Sequence, residues 1–169
     1  MKEHRRKVLF LALLVAAALP FVAYKVYQCH WYAQALPPEL EVAYPVSVGE
    51  EFAFRGGCGV AVYSLSDRTL KAVKQDQLSF FESATRARGH REPEDRDGHY
   101  YTYQPWQRTP VPAPWTNDGS WFVCSAISSR LESEIVAAAK FEGAYYTMAP
   151  KATLLVLPAL GYAVFAVND

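Results

Sequence analysis

The chain has 169 residues, with 17 Lys+Arg against 17 Asp+Glu, 51% hydrophobic and 14% aromatic side chains. That length holds one ordinary domain plus a short appendage, and the apolar share suffices for a core, which excludes wholesale disorder. Zero net charge excludes a nucleic-acid binder working through a general basic field. With 9 Gly and 11 Pro, the chain is neither collagen-like nor dominated by linkers.

Lys2, Arg5, Arg6 and Lys7 precede an uncharged run, VLFLALLVAAALPFVAY, from Val8 to Tyr24. Its 17 residues meet the lower limit for crossing a hydrocarbon core. Lys25 can snorkel, and Tyr24, Tyr27, Trp31 and Tyr32 lie where an interfacial aromatic belt belongs. Pro20 is tolerable in such a helix. The competing reading is a signal peptide cleaved at Ala33-Gln34-Ala35, an A-x-A pattern. The long, aromatic stretch from Pro20 to Ala35 favours the uncleaved anchor. Residues 1–29 carry five basic side chains against one acidic, net +4, and residues 30–169 carry twelve against sixteen, net −4. The positive-inside bias therefore puts the N-terminus in the cytoplasm and the rest outside.

Residues 1–33 read as basic flank and anchor or signal segment, and 34–41, AQALPPEL, as a stiff Pro-rich spacer. Residues 42–169 then form the exported domain. Val42 to Phe54 reads as weakly extended, with Pro45 suited only to an edge strand. After Gly56-Gly57-Cys58-Gly59, the apolar Val60 to Tyr63 reads as a buried strand. Ser66 caps a helix whose face holds Leu70, Val73, Phe80, Phe81, Ala84 and Ala87, with a break near Gln75-Asp76-Gln77 as an alternative and Gly89 at its end.

HREPEDRDG, from His90 to Gly98, is a charged loop. His90 and His99 bracket four carboxylates there, but the spacing fits no metal motif, and Pro93 and Gln104 stand where a calcium loop needs acids. No metal and no cofactor is implied. Residues 99–118 hold four Pro and five aromatics without helical period, and read as an ordered extended excursion. Tyr101, Tyr103, Trp106 and Trp115 are the candidate binding residues, for a peptide, a glycan or an envelope protein; packing over the sheet is the alternative.

Trp121 to Cys124 reads as a short strand. Ser129-x-x-Glu132 has capping-box spacing and opens a helix presenting Leu131, Ile135 and Ala138, closing at Gly143. Tyr145–Met148, Thr153–Leu157 and Tyr162–Val167 are apolar runs joined by turn-forming residues, hence an antiparallel meander. The fold class is α+β: this C-terminal three-strand meander plus the Val60 strand, packed against two helices on one face. The unbroken apolarity of LLVL and YAVFAV requires cover on the second face too.

In an oxidising compartment Cys58 and Cys124 form the preferred disulfide, and Cys29 is left free or links two anchors into a homodimer. The functional expectation is a bacterial-type, single-pass inner-membrane protein whose exported, periplasmic-type domain acts by binding as an accessory part of a cell-envelope complex. The alternatives are a small exported hydrolase or thiol enzyme using Cys58 or His99, and a secreted domain released after Ala35.

Overall fold

The computed structural model describes residues 2–53, 56–90, 101–117 and 127–168. It is α+β, with one long N-terminal helix, α1 (Lys2–Ala33), ahead of a six-stranded antiparallel sheet. Within α1, Phe10–Ala33 is long and apolar enough to cross a membrane, and none of its most apolar window is buried. At 1.5 Å per residue that stretch extends about 36 Å, more than a hydrocarbon core of about 30 Å.

The strands are β1 (Val42–Ala53), β2 (Gly56–Leu65), β3 (Gln107–Arg108), β4 (Tyr145–Ala149), β5 (Ala152–Leu157) and β6 (Tyr162–Asn168). Their order is β1-β2-β6-β5-β4-β3. The meander β4-β5-β6 forms as its turn chemistry predicts. Pro150 and Lys151 make a two-residue connection with Lys151 at φ 61°, and Gly161, at φ 71°, supplies the left-handed residue before β6. β2 joins β6 with Val62 opposite Val164 and Ala61 opposite Phe165. β1 pairs with β2 and lies at the sheet edge, where Pro45, which has no N–H to donate, is tolerated beside two register shifts.

Because side chains alternate along a strand, the sheet carries two cores. Ala61, Tyr63, Leu65, Leu154, Val156, Ala163 and Phe165 point to one face, and Val60, Val62, Leu155, Leu157, Val164 and Ala166 to the other. Each buried aliphatic or aromatic side chain contributes about 1.5–3 kcal/mol. The apolar runs are continuous because both faces are covered.

The covers differ from the sequence expectation. The expected sheet had four strands and six form: β1, read as weakly extended with Pro45 suited to an edge, joins it at the edge, and the two-residue β3 is new. The helices α2 (Asp67–Asp76) and α4 (Ser129–Ala139) do not share a face. Leu70 and Val73 of α2 pack on the Phe165 side, whereas Ile135 and Ala139 of α4 pack on the Val164 side. Amphipathic spacing marks which stripe of a helix is buried but not which side of a sheet receives it.

The helix after Ser66 stops at Asp76, and a 3-10 turn over Gln77–Phe81 follows, with Gln77 at φ 52°. Ala84 and Ala87 are buried, but on extended backbone: Ala87 N–H donates to the Tyr101 carbonyl and Tyr103 N–H to that of Thr85. In α4 the cap is Ser128, whose hydroxyl accepts from Leu131 N–H, not Ser129, and the helix ends at Ala139, short of Gly143. Residues 34–41 form successive turns rather than an extended spacer, and Ala35, Leu36 and Leu40 are fully buried. The expected strand over 121–124, most of the charged loop and His99 lie outside the described residues.

Candidate functional site at the junction of helix and sheet

Buried side chains of α1 meet the sheet at the end of the helix. Gln28 and Tyr32, one turn apart, are both buried there, although the same helix is bare toward its start. The Tyr32 hydroxyl fills the space where a side chain on Gly59 would begin and hydrogen-bonds Glu50 of β1. Glycine is required at 59 because this approach leaves no room for a β-carbon. The Tyr24 hydroxyl, two turns earlier, also donates to Glu50, at 3.4 Å. One carboxylate of the β1–β2 hairpin is thus held by two phenols of α1. From the sheet, the Tyr63 hydroxyl donates to the Cys29 carbonyl at 2.6 Å, and burial, followed by the neighbouring Cys29, pushes the Tyr63 phenol above its ordinary range.

The helix end leaves no swivel. The final carbonyls of α1, from His30 to Ala33, accept from the N–H groups of Gln34, Ala35 and Leu36 in consecutive tight turns. The next three carbonyls are tied to the domain: Gln34 accepts from Gly89 N–H, Ala35 from the Tyr103 hydroxyl at 2.7 Å, and Leu36 from Arg88 N–H. The Arg88 guanidinium adds a bond to the Leu40 carbonyl at 3.1 Å. Such a chain of satisfied backbone groups transmits an angle rather than absorbing it.

The four candidate binding residues lie against the sheet. Trp106 stacks on Phe81 at 4.4 Å and donates its indole N–H to the Ala84 carbonyl; Tyr103 is buried over Ala35. Tyr101 meets Phe165 edge-on at 5.3 Å, and Phe165 also touches Tyr32. Trp115, in the short helix α3 (Pro114–Asn117), meets Tyr146 edge-on on the opposite face. The excursion therefore wraps the β4 edge: Tyr101, Tyr103 and Trp106 cover one face, β3 pairs with β4, and Val111 and Trp115 cover the other. Tyr103 and Trp106 are buried in this packing, and Tyr101 and Trp115 are half-buried.

Cys29 is a free thiol, half-buried in α1. Cys124 lies outside the described residues, and with it the geometry of the expected Cys58–Cys124 bridge. Among the described residues no three His, Cys, Asp or Glu side chains gather as a metal site would need. A cleft of about 560 Å³ sits at the far sheet edge and mixes Lys74, Arg108 and Glu142.

No protein family, curated protein or solved structure matches the chain. The junction, found by no motif, is the feature its geometry singles out. Its one sequence signal is the pairing of an aromatic helix end with a glycine cluster before a strand.

Proposed function

We propose that this chain is a single-pass, uncleaved membrane-anchored protein whose exported domain acts by binding, as an accessory component of a cell-envelope complex. The observation that carries the reading is the seat of Tyr32 on Gly59: the last turns of the apolar helix belong to the core of the domain. Cleavage after Ala35 would remove Tyr32 and sever the chain between two fully buried residues, Ala35 and Leu36. The bare apolar side chains of Phe10, Leu11, Leu13, Leu14 and Phe21 form a patch that water does not tolerate and a bilayer does. The basic flank supports a cytoplasmic N-terminus.

A binding role is supported by the outer edge of β1, which pairs with no further strand among the described residues. Its 12 residues offer backbone donors and acceptors beside the exposed Tyr44 and Val46, the kind of edge to which a partner strand adds. The Cys58–Cys124 bridge belongs to the same reading. It is supported by the disulfide-bonded state of Cys58, with Cys29 as the free thiol, and fits an oxidising compartment.

Alkaline carbonate extraction with protease added to intact spheroplasts tests the proposal. The chain is expected in the membrane pellet, with its domain digested from outside. Recovery in the soluble fraction, or protection of the domain until the membrane is opened, overturns it.

A further inference from the structure

Beside the junction lies a cleft of about 290 Å³ lined by Tyr24, Tyr27, Gln28, Trp31 and Glu50. Tyr24, Tyr27 and Trp31 follow at helical spacings of three and four, so their rings line one flank. Glu50 of β1 supplies a carboxylate. We propose that this cleft binds the headgroup of a zwitterionic phospholipid, its terminal ammonium held between the aromatic rings and Glu50.

The inference rests on the membrane-anchor reading, which fixes the depth of the cleft. Val8 to Tyr24 covers about 25 Å of rise, most of the hydrocarbon thickness, and Lys25 marks its end. The cleft begins at Tyr24 and so stands at headgroup level. Its chemistry is complementary to an ammonium: aromatic faces attract cations, and a carboxylate engaged by two phenols keeps acceptor sites for a third donor. Among the described residues no lysine or arginine pairs with Glu50. Lys25, held by the Gln28 side chain at 2.8 Å, adds a positive charge near the level of the lipid phosphate. Phe21 and Val22, in the turn before Tyr24, are exposed and offer a surface along which acyl chains would run.

The test uses the full chain purified in detergent, offered dioleoyl phosphatidylcholine, phosphatidylethanolamine or phosphatidylglycerol, with retained lipid counted by native mass spectrometry. The two zwitterionic lipids are expected at about fivefold or more over phosphatidylglycerol. Glu50→Gln keeps an acceptor for Tyr24 and Tyr32, and is expected to bring the three lipids to parity. Tyr27→Leu, at an exposed position, weakens retention of the zwitterionic lipids without a change in circular dichroism. Equal retention of all three lipids by the unaltered chain, or an undiminished preference in both variants, overturns the proposal while leaving the anchor intact. A chain that stays dispersed without detergent and keeps no lipid overturns the anchor reading as well. Competition by soluble phosphocholine at equal concentration overturns the assignment to a lipid.

Discussion

The hydroxyl of Tyr32, on the last turn of α1, occupies the space in which a side chain on Gly59 of β2 would begin. Gly59→Ala therefore sets a β-carbon against that hydroxyl and is expected to cost about 1–3 kcal/mol, the usual penalty for overpacking. Tyr32→Phe removes the nearest crowding atom and leaves the ring carbon that carried it. In that background the same alanine should cost at least about 1 kcal/mol less, a coupling that chemical unfolding of the full chain in detergent would measure. Strictly additive costs would mean that the two residues do not meet.

Trp106 and Trp115 separate the packing role of the aromatic excursion from a binding role. Trp106→Ala removes a buried ring stacked on Phe81 and a bonded indole N–H. A loss of about 3–5 kcal/mol is expected. Trp115, half-buried and in edge contact with Tyr146, should cost less. An unchanged melting temperature in Trp106→Ala would return that ring to the surface.

How far the sequence reached follows from the range of each signal. The meander was legible because LLVL, YAVFAV and their turns act over a few residues. The break at Gln77 stood only as the alternative to one helix ending at Gly89, although a polar residue interrupts the apolar stripe there. The contact between Tyr32 and Gly59 joins residues 27 positions apart, and no local periodicity encodes it. Residues 34–41 misled because Pro37-Pro38 marks an extended spacer as readily as a tight turn, and only the partners Arg88, Gly89 and Tyr103 decide between them. The aromatic excursion carried two readings for a similar reason: a Pro-rich run of rings has the same composition whether a partner or its own sheet lies beneath it.

Alkali should weaken the domain through its buried phenols. Burial raises Tyr63 and Tyr103 above the ordinary value of 10.0, Cys29 adding to the first and Tyr101 to the second. A raised value in the folded state means stability fully present below pH 10 and lost as pH climbs toward the folded values. The melting temperature should hold to about pH 10 and fall above it. Tyr103→Phe, which forfeits the bond to Ala35, should start lower and fall less steeply. A steeper alkaline loss in that variant would contradict the assignment.

Thiol counting tests the bridge between Cys58 and Cys124. Of the three cysteines in the chain, alkylation under denaturing, non-reducing conditions should label one, Cys29, and all three should react after reduction. Closing a loop of this length stabilises a fold by roughly 4 kcal/mol in the chain-entropy model, so the reduced protein should also melt lower. Three labelled thiols before reduction would remove the disulfide from the account.

The central claim is that the apolar helix stays joined to the domain because its last turns are part of the core. The intact mass of the protein taken from the membrane fraction tests it most directly. A mass that includes residues 2–35 is the predicted result, and a product beginning at Leu36 would contradict it.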